Sequence, residues 1–404
     1  MRNRLAVKVD FSGTAIDVGE LVRNERNVYF RYDEDFLQGN LNLSPFYLKR
    51  TTEIQRPNTP VFDGLFGVFA DSLPDGWGRL LLDRALTAKG VNLGEISPLD
   101  RLAMVGTAGM GALTFHPVKT MEEAIDSSID LDVVARESRS VLAGGASDLL
   151  DELVQLGGSS GGARPKIVVG YDPATDRMIK SMETLPSGFE HWLIKFPAGI
   201  DPKDVAKTEM AYYKMALAAG LKMTTCRLFK GKSGQAFFGT KRFDRNGDDR
   251  LHLHSAAGLL HYNFRLTNID YGHVMDAAFR LEKDVRAYEK VLRLAAFNVF
   301  AHNRDDHSKN ISFLMDETGN WQLAPAYDLT FSQSSHGYHS MTVAGGSKRP
   351  GREQLLNLAK NFSIKKPEKI IDEVREAVGN WSEFAKAAAV PPGSLKSINS
   401  ILNP

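Results

Sequence analysis

Ala301-His302-Asn303-Arg304-Asp305-Asp306-His307-Ser308-Lys309-Asn310-Ile311-Ser312-Phe313-Leu314 packs two His, two adjacent Asp and a Lys between apolar runs. Upstream, Val285, Tyr288, Leu292 and Ala296 recur at helical spacing. Downstream, Ile311, Phe313 and Leu314 read as a short strand. The polar cluster is therefore expected on a loop that leaves a buried helix and enters a strand, held between anchored elements.

Within this stretch, Arg304-Asp305 is followed five residues on by Asn310. That is the R-D-x-x-x-x-N spacing of a protein-kinase catalytic loop. There the Asp takes the proton of the substrate hydroxyl and the Asn holds a magnesium ion. A polar turn with an Asx cap has the same composition, so the spacing needs companions elsewhere in the chain.

The bulk properties set the frame. A chain of 404 residues is long enough for two or three packed lobes. Hydrophobic content of 43% and charged content of 25% are those of a soluble globular protein. A net charge of +1 gives no global basic field that would advertise nucleic-acid binding. The single cysteine, Cys226, allows no internal disulfide and points to a reducing compartment. The N-terminal run alternates like a strand and is too charged for a signal sequence, and no stretch has the length of a membrane span. A cytoplasmic protein without membrane association is expected.

Residues 5–11, 14–21 and 28–32 form three strand-like runs separated by turns, a small antiparallel sheet. In residues 69–90, Pro74 and Asp75 suit a helix entrance and Gly90 its exit, and two glycines flanking Trp77 imply close packing there. Residues 102–115 read as tightly turned strands, and the acidic stretch 117–150 as a join. Residues 157–166 hold four glycines and two serines before a β-branched strand. A backbone this permissive can turn several N–H groups toward one anion, although it matches neither of the common phosphate-loop fingerprints.

A strand at 191–197 carries Lys195. The helix expected at about 203–219 has an inward stripe of Val205, Glu209, Tyr212 and Ala216. A carboxylate on that face needs a cation, and Lys195 is available. Strands follow at 225–229 and 235–240, then Lys241-Arg242-Phe243-Asp244-Arg245. The chain then turns largely helical at 272–302 and 352–403. Asp328 follows a hairpin after the central loop. The fold class is α+β: a two-lobed, protein-kinase-like fold with an extra N-terminal β-rich subdomain and a helical C-terminal lobe. The boundaries read as 1–120, 121–247 (the nucleotide-binding lobe) and 248–404.

Gly-rich loop, strand Lys, helix Glu, D-x-x-x-x-N loop, hairpin and Asp is the linear order of a kinase-like phosphotransferase. With Ser72-Leu73-Pro74-Asp75-Gly76-Trp77-Gly78-Arg79-Leu80, Gly158 to Lys166, Asp305 to Asn310, Phe243-Asp244-Arg245 and Tyr327-Asp328, the sequence resembles the HipA-type toxin kinases of bacterial toxin–antitoxin systems over nearly its whole length. The resemblance implies an ATP- and Mg²⁺-dependent protein serine/threonine kinase. It makes Asp305 the catalytic base and Asn310 and Asp328 the Mg²⁺ ligands. ATP would be contacted by Lys195 (with Glu209), Lys241, Phe243, His307, Lys309 and the loop residues Ser160, Gly161 and Gly162. It further implies self-inactivation by phosphorylation of Ser159 or Ser160, because a dianion in a phosphate-cradling loop repels the nucleotide. The hinge position Lys241 departs from the acidic residue of the best-known members. Implied partners are a HipB-like helix-turn-helix antitoxin, DNA mainly through that antitoxin, and a translation component such as an aminoacyl-tRNA synthetase. Two other readings are a small-molecule kinase and a catalytically silent co-repressor on an antitoxin–DNA complex.

Overall fold

The structure, a computed structural model, describes residues 3–403 other than 26, 119–128, 160, 182, 267–268 and 335–336. Part of the acidic join and Ser160 therefore lie outside the described residues. The chain divides into two compact units, one of residues 1–203, 229–254 and 315–319, the other of 204–228, 255–314 and 320–404.

The first unit is strand-rich. Arg4–Asp10 pairs antiparallel with both Ala15–Asn24 and Leu113–His116, and Ala15–Asn24 pairs with Asn27–Tyr32. Alternation buries Leu5, Val7 and Val9 on one face, as period-2 patterning requires. The helix Gly76–Ala88 starts where Asp75 and the glycines lead it, and Gly90 ends the segment at φ +74. Trp77, Leu81, Leu82 and Ala85 form its buried stripe. They pack with Leu153 and Leu156 of the helix Leu150–Gly157 and with Ile167, Trp192 and Ile194 of a second sheet. Four of the five strands of that sheet are Arg177–Lys180, Lys166–Asp172, Glu190–Lys195 and Ala236–Lys241, in that order.

The expectation of turned strands across 102–115 fails. Pro98–Val105 is a helix, and only Leu113–His116 is a strand. Ser97-Pro98-Leu99-Asp100 is a capping box with proline at the first helical turn, and that local signal outweighs the apolar, glycine-rich composition. The glycines fall in the turn after the helix, where they bind arginines. Arg245 donates to the Gly111 and Gly109 carbonyls at 3.1 Å each, and Asp244 accepts from the Gly111 N–H at 2.7 Å.

The second unit is mostly helical: Val205–Ala218, Tyr271–Glu282, Arg286–Phe300, Arg352–Asn361, Pro367–Gly379, Trp381–Ala387 and Pro392–Leu402. Tyr212 packs edge-on against Phe297 and Trp381, with ring centroids 6.2 and 5.4 Å away. Val285, read as the first inward residue of its helix, is 66% exposed, because the helix begins after it. Leu292 and Ala296 are buried as expected, Tyr288 is half-buried, and Ala287, Val291, Leu294 and Ala295 join the buried face.

Candidate functional site

In the second unit, the helix Arg286–Phe300 ends at Ala301, whose carbonyl accepts the Tyr212 hydroxyl at 2.6 Å. Burial pushes that phenol well above its ordinary pKa, so it stays a donor. The chain then enters the 303–310 loop, and the two adjacent aspartates part company. Asp306 is 2% exposed. It accepts the Tyr271 hydroxyl at 2.9 Å, lies 3.0 Å from His339 Nδ1, and accepts the Ser340 N–H at 2.8 Å. Asn298 donates to Tyr271 and accepts from Asn303, which extends the buried network to the start of the loop. The side chain of Asp305 is 66% exposed. One carboxylate holds the loop, and its neighbour is presented by it.

The other expected residues of this unit gather on the same loop. Asn310 donates its side-chain N–H to the Asp305 carbonyl at 2.9 Å, which closes the five-residue turn. That commits the nitrogen and leaves the amide oxygen as the atom able to meet a cation. His307 Nε2 lies 3.8 Å from an Asp305 carboxylate oxygen. Lys309 Nζ sits 4.9 Å from the centre of the Phe264 ring, and the His307 ring packs at 5.5 Å from it. The Tyr327 hydroxyl donates to the Lys309 carbonyl at 2.6 Å and lies 2.7 Å from Ser312 Oγ. This fastens the Tyr327-Asp328 segment to the loop. Asp328 has φ +57, an uncommon backbone for a non-glycine residue that an Asp tolerates better than most. An amide oxygen and a carboxylate are hard oxygen donors, so Asn310 and Asp328 suit Mg²⁺. Glu209 is 4% exposed on the helix Val205–Ala218, as its stripe predicted.

The first unit carries the glycine-rich loop. Its end is docked on the start of the helix Gly76–Ala88. The Gly162 N–H donates to the Asp75 carboxylate, the Trp77 N–H donates to the Gly162 carbonyl at 2.8 Å, and the Trp77 indole donates to the Lys166 carbonyl at 3.1 Å. Gly76 has φ +45, and a Cβ there would lie 2.4 Å from the Gly162 oxygen. The close packing implied by the glycines around Trp77 is thus with this loop. Asp75 precedes the helix but makes no side-chain cap, since one carboxylate oxygen serves the loop.

Lys166 was not among the expected site residues. Its Nζ donates to the Gly161 carbonyl at 2.5 Å. It stands directly opposite Lys195 on the neighbouring strand, so the two ammonium-bearing side chains share a sheet face. Lys195 Nζ lies 5.6 Å from the Phe238 ring centre. A pair of cations beside a glycine-rich loop fits a polyphosphate. The signal that could have found Lys166 is the strand alternation itself, once the pairing with Lys195 is known. Lys241 is ion-paired with Glu190 at 2.6 Å, and Phe243, two residues on, is half-buried. Arg242 grips Asp244 with two hydrogen bonds, 3.0 and 2.6 Å. Burial raises the Asp244 carboxyl, but the Arg242 guanidinium outweighs it and holds the group well below the usual carboxylate range.

Comparison with known proteins fixes the class. A family profile described as the HipA-like C-terminal domain matches residues 158–381, and one described as the HipA N-terminal domain matches residues 9–116. The chain belongs to the HipA family. Its fold is similar to HipA of Shewanella oneidensis MR-1, solved with HipB and its operator DNA, at TM-score 0.69 and 18% identity, covering 98% of this chain and 94% of that one. The proinflammatory kinase CtkA of Helicobacter pylori aligns at TM-score 0.34 and 13% identity over 53% of this chain and 90% of its own, too low to bear on the fold. No curated protein sequence matches the chain significantly. Among the described residues, no helix is long and apolar enough to cross a membrane.

Proposed function

We propose that this HipA-family chain is an ATP- and Mg²⁺-dependent protein serine/threonine kinase and the toxin of a toxin–antitoxin module. The observation that carries the reading is the split between Asp305 and Asp306. The buried network spends Asp306 on structure and leaves Asp305 presented, with Asn310 closed onto its carbonyl. Asp305 accepts the proton of the substrate hydroxyl. Asn310 and Asp328 hold Mg²⁺, which supplies charge neutralisation on the phosphates when bound. Lys195 and Lys166 with Gly161 and Gly162 receive phosphate charge in the first unit, and His307 and Lys309 do so in the second. Glu209, buried on its helix, is the helix carboxylate of this reading, and Lys241 and Phe243 form the adenine side.

Self-phosphorylation falls on Ser159 or Ser160 in this reading. A dianion there repels nucleotide phosphates from the loop and silences the enzyme. The partner is a HipB-like helix-turn-helix antitoxin, with DNA reached mainly through it, and the Shewanella complex supports this choice. The substrate is a translation component such as an aminoacyl-tRNA synthetase, and the site of action is the cytoplasm. The test is the intact mass, followed by peptide mapping, of the protein incubated with ATP and Mg²⁺, beside Asp305→Gln. The expected result is one phosphate gained on the 157–166 peptide and none in the variant. Equal labelling of both proteins would overturn the assignment of Asp305.

A further inference from the structure

The kinase reading leaves a cluster of positive charge in the second unit unused. Arg304, Arg349 and Arg375 have no acidic side chain within ion-pairing distance among the described residues. The Arg304 Nε is buried without an acceptor, and among the described residues its Nη2 contacts His302 Nδ1, at 3.2 Å. Arg349 is close enough to lower the proton affinity of both Arg304 and His302, after burial, which is the larger cause in each. Arg375 lies 6.0 Å from the Phe300 ring centre. Only Arg352 is neutralised nearby, by Asp372 at 3.2 Å.

An open cavity of about 650 Å³ lies beside His302, with Arg304 next to His302 and Arg349 next in sequence to the lining residue Pro350. His302, Arg352 and Arg375 line one part of it, and Phe300, Val378 and Leu402 form an apolar part. The first turn of the helix Arg352–Asn361 also faces it through Gly351 and Arg352, adding the positive end of a helix dipole. His302 and Arg349 both have left-handed backbones, φ +50 and +52, which cost about 1 kcal/mol each for residues of this kind. Strain and a buried donor without an acceptor are two costs at one place. An oxyanion would meet the donor and offset the repulsion between Arg304 and Arg349.

We infer that the cavity beside His302 is a binding site for a phosphate-type oxyanion, held by Arg375 on its wall with Arg304 and Arg349 beside it. The inference does not rest on the kinase reading. Two sources share this chemistry. One is a phosphate ester from outside. The other is a phosphoserine of this chain, because Ser332 donates its N–H to the His302 carbonyl at 3.1 Å and Ser334 Oγ is buried without a partner close by in sequence.

The test is calorimetric titration of the phosphatase-treated full chain with inorganic phosphate and, separately, with O-phosphoserine at low salt. It is repeated on Arg349→Ala/Arg375→Ala and on Lys195→Ala. Both arginines are exposed, so the double variant keeps its fold, and its unfolding midpoint checks this. The expected result is saturable binding that survives Lys195→Ala and weakens at least tenfold in the double arginine variant, about 1.4 kcal/mol. No saturable binding, equal binding in the arginine variant, or loss only with Lys195→Ala would overturn the site. Peptide mapping before phosphatase treatment then separates the sources. Phosphate on Ser332 or Ser334 that blocks the titration until it is removed assigns the chain's own phosphoserine, and an unmodified segment assigns an external ester.

Discussion

The 303–310 loop and the 158–165 loop carry most of the expected chemistry, and they are built in opposite ways. The first is set from beneath by a buried polar network: Asp306 satisfies Tyr271, His339 and Ser340 together, while Asn298 and Asn303 continue the chain of hydrogen bonds. The second is set from outside by contact with a helix start, through one Asp75 carboxylate, one backbone bond from Trp77 and a Gly76–Gly162 approach that no side chain fits. A network in a low-dielectric interior is costly to break at any member. A surface latch opens locally without unfolding anything. In the proposed kinase, the difference suits a loop that presents one carboxylate and a loop that changes its contacts when an anion arrives.

The largest effect separates the two aspartates. Asp306→Ala leaves a buried hydroxyl, a ring N–H and a backbone N–H without their acceptor. It is expected to destabilise the second unit by about 3–5 kcal/mol. Asp305→Asn, at an exposed side chain, is expected to change stability by less than about 0.5 kcal/mol while phosphate transfer is lost. Urea unfolding of both variants checks the pair. If the two cost the same, the division of labour between them is wrong.

Next in size is Gly76→Ala. The added Cβ meets backbone atoms, not a flexible side chain, at φ +45, so the loop or the helix start must move. A cost of about 2 kcal/mol is expected, together with rapid proteolytic cleavage within 158–165 and none at 303–310. Cleavage at both loops would mean that the latch supports more than its own loop.

How much of this was legible in the sequence follows the same division. The order of elements, the helix exit at Gly90, the buried Glu209 and the loop position of Asp305 and Asn310 come from periodicity and turn chemistry, which are local. The Asp75–Gly162 latch joins residues 87 apart, and the His339–Asp306 contact spans 33, so neither is written in any window of sequence. Two adjacent aspartates look alike in sequence; only the surroundings of Asp306, drawn from the Tyr271 helix and the 338–343 strand, make them different. Lys166 was quoted as part of a motif, yet its place opposite Lys195 depends on strand register, which the loop between them does not fix. The helix at 98–105 was open to local reading through its capping box, and the apolar glycine-rich run obscured it.

Acid sharpens the comparison further. Burial first, then Arg304, lowers the His302 pKa to about 4 from an ordinary 6.5. The folded state therefore resists a proton that the unfolded chain accepts, and stability falls as pH drops from about 6.5 toward 4. Discounted for partial exposure, the loss between pH 7 and 5 is about 1 kcal/mol at this site. No histidine lies within 158–166. Hydrogen exchange at pH 7 and 5, corrected for intrinsic rates, should show 301–310 loosening several-fold while 161–166 holds. Equal loosening at both places would count against a local role for His302.

The smallest effect is also the finest probe of the latch. Asp75→Asn keeps the shape and an acceptor oxygen but removes the charge, and a charge-assisted hydrogen bond is roughly twice as strong as a neutral one. The expected loss is about 0.5–1 kcal/mol, confined to the Gly162 contact. Amide exchange at 161–163 should rise about two- to fivefold with the global unfolding midpoint unchanged. In the proposed kinase the same variant should bind nucleotide more tightly, because the loop no longer gives up a carboxylate partner when it turns toward phosphate. Tighter binding with faster exchange would make Asp75 a competitor for the loop's N–H groups. Weaker binding with faster exchange would mean that the latch holds the loop in the shape the phosphates need.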